Sequence, residues 1–330
     1  MYFLGIDVGS VSINFVLLDK KQKIIDKQYF KTAGKPVDQI KKGLKRIGNK
    51  FGDLEIGGVG TTGSGRNLAG VIVGADTVKN EITAHAVAAT SREPEVKTVL
   101  EIGGQDSKII IIRDGVAVDF AMNTVCAAGT GSFLEQQAAR LGIPIEKFGE
   151  YALKAEEAVR IAGRCSVFAE SDMIHKQQLG HGYPEIIKGL CEALVRNYLN
   201  NIGRGKDIQS PVMFQGGVAA NQGIKEAFSR ALDCEILVPP YYDVMGAIGG
   251  ALLALEKREK KDFIYSNFKG FEIVEDNFKT SSFFCDHCAN GCEIINIFQN
   301  DDLIDRRGAK CPRWELESEN RKLKVAGRLS

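Results

Sequence analysis

The hydrophobic and polar positions at the start of the chain predict strands joined by tight turns. Residues 2–19 form two apolar runs separated by a turn at Gly9, and residues 20–32 continue as a third, more polar strand. Because short turns separate these runs, an antiparallel meander is predicted. An amphipathic, basic helix is predicted over residues 37–51, and residues 55–65 predict a short strand that enters a glycine-rich loop.

The same pattern returns in the second part of the chain. Residues 98–113 repeat residues 3–19 as a strand, a turn with an acidic residue two positions before glycine, and a second strand. This internal duplication predicts two similar lobes that face a cleft. Helical patterns dominate residues 131–205, followed by a glycine-rich element at 212–228 and a Gly- and Ala-rich helix at 244–261.

A change of composition near residue 258 predicts a boundary. A charged stretch ends the Gly- and Ala-rich helix, and the remaining chain is aromatic, polar and cysteine-bearing. We therefore predict an α/β protein with an N-terminal lobe at 1–96, a second lobe at 97–257 and a small cysteine-rich C-terminal domain at 258–330.

Composition and charge exclude several classes of function. The chain has 330 residues, with 43 basic and 42 acidic side chains and a net charge of +1. This balance gives no general attraction to nucleic acid or to an anionic membrane, and no apolar run approaches a membrane span. We expect a cytoplasmic protein whose partners are neither nucleic acid nor membrane. In that reducing compartment, the eight cysteines predict metal or redox chemistry rather than disulfides.

Three glycine turns are the first candidates for a binding site. They lie at residues 7–12, 101–106 and 215–219, after predicted strands in the two lobes. Glycine lets backbone N–H groups approach phosphate oxygens, and the carboxylate of Asp7 can hold Mg²⁺ through its water shell. A single such turn is more often an ordinary hairpin, but three in this order favour a phosphate site.

Two cysteines stand just ahead of predicted helices. Cys126 precedes a helix predicted over 132–142, where residues 132–135 have capping-box spacing, and Cys165 precedes one predicted over 166–179. The positive end of a helix lowers the pKa of a nearby thiol. A nucleophile, a metal or cluster ligand and a small buried thiol are the alternatives. The repeated placement argues against the buried thiol, and no histidine flanks Cys126 as a base.

The last four cysteines form a separate group. Cys285, Cys288, Cys292 and Cys311 have the spacing C-x₂-C-x₃-C-x₁₈-C. Four thiols with a closely spaced trio indicate a metal site, which is either zinc or a second iron–sulfur cluster. His287 could replace one thiol. Four unliganded thiols are the less probable alternative at this spacing.

The motifs resemble a known superfamily. The order of IDVGSVS, EIGGQDSK and FQGGVAAN resembles the acetate kinase, sugar kinase, Hsp70 and actin superfamily, and the Walker pattern of P-loop enzymes is absent. Within it, NTVCAAGTGSFLEQQA and AGRCSVFAESDMIHKQQLG resemble the activator ATPases of 2-hydroxyacyl-CoA dehydratases, which are grouped with benzoyl-CoA reductase ATPase subunits (BadF/BadG/BcrA/BcrD type). The resemblance covers roughly residues 1–255. It implies an actin-like fold with duplicated ribonuclease H-like lobes.

The resemblance also implies roles for residues. It implies an ATP or ADP site with Mg²⁺, to which it assigns Gly9, Ser10, Ser12, Gly103, Gly104, Gln105, Gly216, Gly217 and Asn221. The implied catalytic carboxylates are Asp7, Glu101 and Asp106. Glu101 stands where the family usually has Asp, which makes Asp106 the other candidate in that turn.

The implied function is ATP-driven electron transfer. Cys126 and Cys165 from each subunit of a homodimer would hold one 4Fe-4S cluster on the two-fold axis. Ferredoxin or flavodoxin would supply the electron. The acceptor would be an iron–sulfur dehydratase, a benzoyl-CoA reductase core or a double-cubane cluster protein. The alternative is a small-molecule kinase of the same superfamily, which would leave both cysteines unused. A chaperone-like switch would need a substrate-binding β domain, which the sequence lacks.

Overall fold

The computed structural model describes residues 1–52, 54–123 and 126–316. This part of the chain forms two five-stranded sheets and one three-stranded sheet. No helix within it is both long and apolar enough to cross a membrane.

The first lobe is built on the sheet predicted from the N-terminal pattern. Its strands are β1 (Tyr2–Val8), β2 (Ser12–Asp19), β3 (Ile24–Lys31), β4 (Ile56–Thr62) and β5 (Thr77–Val78). The order is β3-β2-β1-β4-β5, with an antiparallel meander on one side of β1 and parallel pairing on the other. Helix α1 (Pro36–Phe51) confirms the predicted amphipathic helix, since Ile40, Leu44 and Ile47 are buried on one face. Helix α2 (Arg66–Val73) follows β4.

The second lobe repeats this topology strand for strand. Its strands are β6 (Thr98–Ile102), β7 (Ser107–Arg113), β8 (Val116–Asn123), β9 (Val212–Gln215) and β10 (Ile236–Leu237). Read from the meander edge, the order is β8-β7-β6-β9-β10, with the same antiparallel and parallel pairings as in the first sheet. The predicted duplication is therefore confirmed.

Helices fill the long connection between β8 and β9. They are α4 (Gly131–Leu141), α5 (Ile145–Leu153), α6 (Ser166–Gln178) and α7 (Tyr183–Tyr198), and α8 (Gln222–Leu232) follows β9. Helix α4 ends as predicted, because Gly142 adopts the left-handed conformation with φ 66° that terminates a helix. Phe133, Leu134 and Leu141 of α4 pack into the core of this lobe.

Two helices lie between the sheets and carry the apolar core that the lobes share. Helix α3 (Glu81–Arg92) and helix α9 (Met245–Glu259) contribute to a buried cluster with strands of both sheets. Helix α9 approaches the first sheet very closely. A Cβ on Gly5 would lie 1.8 Å from the carbonyl oxygen of Ala247, and one on Gly60 would lie 1.9 Å from that of Gly250. Only glycine allows this approach.

The chain after α9 returns to the first lobe and forms the third sheet. This antiparallel sheet contains β11 (Phe278–Phe284), β12 (Glu293–Gln299) and β13 (Asp302–Arg307). Ile273 and Phe278 enter the same core as the buried face of α1. The carboxylate of Asp76 accepts hydrogen bonds from Ser266 Oγ at 2.6 Å and from the Asn267 amide at 2.7 Å. Residues 266 and 267 are thus hydrogen-bonded to the first lobe. That residues 258–330 form a separate domain stays a prediction.

Candidate functional site

The first two glycine turns are built alike and touch each other. In the first turn (residues 9–12), the Gly9 amide donates to the Ser12 carbonyl at 2.9 Å. In the second turn (residues 103–106), the Gly103 amide donates to the Asp106 carbonyl at 3.0 Å. A Cβ on Gly104 would lie 2.9 Å from the side chain of Val11, so the two turns meet across the cleft.

The third turn (residues 215–217) closes the group from the side of β9. Gly216 has φ 90°, and a Cβ there would meet the Ile102 carbonyl at 2.4 Å and Glu101 Oε1 at 2.7 Å. Among the residues that the structure describes, none other than the two chain neighbours of Gly217 lies within 4 Å of the corresponding position on Gly217. The structure therefore brings all three predicted turns together. The exposed residues of these turns include Ser10, Gln105 and Gly217.

Asn221 has a structural role that the sequence analysis did not anticipate. Its side-chain oxygen accepts a hydrogen bond from the Ile224 amide at 3.1 Å and so caps helix α8. Its assignment to ATP binding stays a prediction.

A buried lysine lies beneath the turns. Lys108 is 2% exposed and pairs with Glu101 across β6 and β7. Its ammonium lies 2.9 Å from Asp106 Oδ1, 3.0 Å from Glu101 Oε2 and 3.3 Å from Glu81 Oε2. The sequence analysis missed both Lys108 and Glu81, although Lys108 is the last residue of the EIGGQDSK motif. We call the four carboxylates of Asp7, Glu81, Glu101 and Asp106 the acidic cluster.

Burial and neighbouring charges shift the pKa values of Asp7 and Glu101 within the acidic cluster. Burial, reinforced by the neighbouring charge of Glu81, raises the pKa of Asp7 to about 7. Burial also raises the pKa of Glu101, although Lys108 opposes that shift. For Lys108 itself, burial lowers the pKa, but the carboxylates of Glu101, Asp106 and Glu81 outweigh it and hold the pKa above its ordinary value.

A neutral polar pair lies at the inner end of the site. Gln215 Nε2 and His85 Nδ1 are 2.7 Å apart. Burial, reinforced by the charge of Lys108, lowers the pKa of His85 to about 4. His85 is therefore uncharged at neutral pH and orients the side chain that begins the third turn.

The site suits a nucleotide with its magnesium ion. Mg²⁺ prefers oxygen ligands and is usually held by one or two carboxylates together with phosphates and water. Among the described residues, no group of three or more His, Cys, Asp or Glu side chains is placed to hold a metal ion alone. The carboxylate of Asp7, next to two glycine turns, fits an ion that arrives with its phosphates.

Helix α4 is hydrogen-bonded to the second turn. The Gly131 amide donates to the Gly103 carbonyl at 2.9 Å, and the Ser132 amide donates to the Gly104 carbonyl at 2.8 Å. The Ser132 hydroxyl donates to the same Gly104 oxygen. The predicted capping box is therefore wrong, because Thr130 is the N-cap residue and a distant carbonyl takes the Ser132 hydroxyl. The start of α4 is therefore anchored to the second turn.

The cysteines at 126 and 165 occupy the predicted places. Cys165 is the N-cap residue of α6, and Cys126 begins a short 3₁₀ turn at Ala127–Gly129 that leads into α4. Both thiols are partly exposed. The Cys126 backbone is fixed by Asn123, whose side chain accepts from the Cys126 amide at 3.0 Å and donates to its carbonyl at 2.8 Å.

One buried asparagine, missed by the sequence analysis, joins the two cysteine segments. Asn197 of α7 donates to the Gly163 carbonyl at 2.6 Å, and its Nδ2 lies 3.9 Å from Cys126 Sγ. Helix α6 also contacts the 3₁₀ turn that follows Cys126. Beside Cys165, Val167 and Phe168 are 67% and 64% exposed. Partly exposed thiols are the ligand type that an iron–sulfur cluster takes, and Cys165 stands at the N-terminus of α6.

The C-terminal cysteines converge on one cavity. Cys285, Cys288, Cys292 and Cys311 all line a space of about 150 Å³, together with His287 and Trp314. The sequence spacing alone predicted this grouping.

Comparison with known proteins covers the two lobes. Residues 4–254 match the BadF/BadG/BcrA/BcrD ATPase family. The (R)-2-hydroxyglutaryl-CoA dehydratase activating ATPase of Acidaminococcus fermentans is 35% identical over 268 residues, which cover 79% of this chain and 99% of the relative. The activator of lactoyl-CoA dehydratase of Anaerotignum propionicum is 34% identical over 266 residues, which cover 79% and 100%.

A solved structure extends the similarity to three dimensions. The activator of the 2-hydroxyisocaproyl-CoA dehydratase from Clostridium difficile with bound ADPNP superposes with a TM-score of 0.72 at 30% identity. The alignment covers 79% of this chain and 97% of that structure. The similarity confirms the predicted two-lobed architecture. The family match ends within α9, so the third sheet lies outside it.

Proposed function

The chain belongs to the BadF/BadG/BcrA/BcrD ATPase family, and from this membership we propose that it hydrolyses ATP to deliver low-potential electrons to a partner iron–sulfur protein. The relatives support the coarser function, which is ATP-dependent activation of a partner. The observation that carries the electron-transfer step is a pair of hydrogen bonds between α4 and the second turn. They are donated by the first amides of α4, a helix that begins five residues after Cys126.

The three turns bind the nucleotide in this proposal. The backbones of the turns at Gly9, Gly103 and Gly104 lie against the phosphates. Because the Gly9 and Gly103 amides bond within their own turns, the Gly104 amide and the hydroxyls of Ser10 and Ser12 supply the donors. The adenosine end lies at Gly216, Gly217 and Asn221. The open space around Gly217 supports this assignment, because a ligand can approach the backbone there without a side chain in its way.

The acidic cluster performs hydrolysis. Asp7 holds Mg²⁺ through its water shell, and Lys108 fixes the positions of Glu101 and Asp106. Glu101, whose pKa burial raises, takes up the proton of the attacking water. The buried ammonium keeps two carboxylates in place without occupying the phosphate-binding turns.

Lobe closure couples the nucleotide to the cysteine segments. Closure around ATP moves the second turn, and α4 follows because its first amides hold that turn. The Cys126 segment (residues 126–129) precedes α4 and moves with it. The nucleotide drives this change only to the extent that ATP binds the closed state more tightly than the open one.

Cys126 and Cys165 are the proposed ligands of a 4Fe-4S cluster. Two copies of the chain supply four thiolates, the number that such a cluster usually takes. When bound, the cluster supplies one-electron chemistry. The N-terminus of α6 at Cys165 stabilises negative charge, and the exposed Val167 and Phe168 supply apolar surface for the two-fold interface.

The partners follow from the relatives and the resemblance. The relatives activate acyl-CoA dehydratases, so the proposed acceptor is an iron–sulfur dehydratase or a related reductase. The proposed donor is a reduced ferredoxin or flavodoxin.

Iron analysis of cysteine variants tests the proposal. The wild-type protein, Cys126→Ala, Cys165→Ala and the control Cys234→Ala are purified without oxygen and compared by iron content and visible spectrum. We expect Cys126→Ala and Cys165→Ala each to lose the cluster, and the control to retain it. Unchanged iron in Cys126→Ala contradicts the ligand assignment. Phosphorylation of a small-molecule acceptor by iron-free protein would instead support the kinase alternative.

A further inference from the structure

We propose that Cys285, Cys288, Cys292 and Cys311 bind a single structural zinc ion at the end of the third sheet. This inference concerns a segment outside the family match and does not rest on the electron-transfer proposal.

The sheet topology places all four cysteines at one end. Cys285 follows β11 and Cys292 precedes β12, and the Cys285 amide donates to the Cys292 carbonyl at 2.8 Å across the hairpin neck. Cys288 lies in the loop between them. Strand β13 runs antiparallel to β12 and so ends where β12 begins. At this end of the sheet, a Cβ on Gly308 would lie 2.0 Å from the Glu293 carbonyl oxygen. Cys311 follows three residues after Gly308.

The surroundings of the cavity suit thiolate ligands. Trp314 Nε1 donates to Cys285 Sγ at 3.3 Å, and such donors stabilise metal-bound sulfur. Lys310 and Arg313 also line the cavity. Four thiolates around one Zn²⁺ carry a formal net charge of about −2, which these two cations complement.

The thiols must still close around an ion. No group of three or more His, Cys, Asp or Glu side chains in the described ranges is placed to hold a metal. Cys285 is buried, whereas Cys288 and Cys311 are exposed. Binding therefore requires Cys288 and Cys311 to turn into the cavity that they already line.

Zinc is favoured over a cluster by the small core of the sheet. The buried residues of its three strands are Phe278 in β11, Ile294 and Ile297 in β12 and Asp305 in β13. A small sheet with so few buried side chains is commonly stapled by a structural metal, and closed four-cysteine sites are typical of zinc.

Metal analysis of the full-length protein tests the proposal. Zinc and iron are measured in the wild type, in Cys288→Ser and Cys311→Ser, and in the control Cys234→Ser. We expect about one zinc per chain in the wild type and in the control. Each of the two exposed-cysteine variants should lose at least about tenfold in zinc while its iron content stays unchanged.

A second measurement avoids dependence on the folding of the variants. In wild-type protein, chelation of zinc should make residues 285–311 sensitive to protease while residues 1–259 stay intact. Wild-type protein without zinc overturns the proposal. Iron and sulfide that persist in a Cys126→Ala, Cys165→Ala double variant also overturn it, because they place a cluster in the C-terminal site.

Discussion

The side-chain amide of Asn197 lies 3.9 Å from the sulfur of Cys126. The same nitrogen donates to the carbonyl of Gly163, two residues before Cys165. Asn197 is 2% exposed, and Asn201 donates to its side-chain oxygen at 3.0 Å. One buried amide therefore fixes the relative position of the segments that carry both proposed cluster ligands.

Asn197→Asp should weaken cluster retention. Aspartate has the same shape and keeps the oxygen that Asn201 contacts, but it cannot donate to Gly163 and places negative charge near the Cys126 sulfur. We expect the free energy of unfolding of the iron-free protein to fall by about 1–3 kcal/mol and iron loss to chelator to accelerate. Denaturant unfolding and chelation kinetics measure these effects. Asn201→Ala is the control, and equal iron loss from both variants contradicts a specific role for the Asn197 donor.

Lys108→Met should destabilise the protein and abolish ATP hydrolysis. Methionine retains much of the length of lysine but leaves Glu101 and Asp106 without their cation. Breaking a buried ion pair costs about 3–5 kcal/mol, and we expect a loss of that size at pH 7. The cost should shrink at acidic pH, because the carboxylates then become protonated.

Denaturant unfolding at several pH values, together with an ATPase assay, checks the role of Lys108. Lys206→Met serves as a control, since Lys206 pairs with Asp119 at an exposed position. It should have a much smaller effect and retain ATPase activity. A pH-independent cost in Lys108→Met would contradict the electrostatic explanation.

Asp7→Asn should stabilise the nucleotide-free protein at alkaline pH. The folded-state pKa of about 7 lies above the ordinary value of 3.8, so the folded protein retains a proton that the unfolded chain releases. The stability contribution of Asp7 therefore falls as pH rises through this window. At pH 8 the variant should exceed the wild type by about 2–4 kcal/mol, and near pH 4 the two should converge.

Thermodynamic unfolding of both proteins between pH 4 and 8 tests this expectation. ATP hydrolysis should be lost in Asp7→Asn, because an amide is a poor substitute for the carboxylate near Mg²⁺. Mg²⁺ and ATP should stabilise the wild type more than the variant. A variant that is less stable than the wild type at pH 8 would show that Asp7 is not under electrostatic strain.

The sequence made the duplicated lobes and their turns predictable because both depend on local patterns. Each lobe repeats a strand, a glycine turn and a strand, and the matching hydrogen bonds at Gly9 and Gly103 realise that repeat. The two helix-mouth cysteines and the C-terminal group were also recognisable, since neighbouring residues define helix starts and ligand spacing.

Residues whose roles depend on distant segments could not be predicted in this way. Lys108 looks like an ordinary polar strand residue, and its contact with Glu81 arises only when α3 packs against the second sheet. Asn197 occupies a helix whose polar positions give no sign of burial. The capping-box prediction failed for the same reason, because Gly104, far away in sequence, accepts the Ser132 hydroxyl.

The contact between Ser132 and Gly104 yields a test of the coupling itself. Ser132→Ala removes the hydroxyl donor but keeps the amide that bonds to Gly104, so nucleotide binding should survive. We expect ATP hydrolysis to change by less than about threefold, while ATP-dependent reduction of the partner falls by about tenfold or more, since one lost hydrogen bond is worth about 1 kcal/mol or somewhat above.

Ser171→Ala is the matched control for this coupling test, because the Ser171 hydroxyl donates to the Val167 carbonyl within α6 and to no other described residue. Parallel assays of phosphate release and electron transfer separate the two functions. Equal losses in both assays for Ser132→Ala would mean that the contact serves the nucleotide site alone. A selective loss of electron transfer places α4 on the path by which ATP acts on the Cys126 segment.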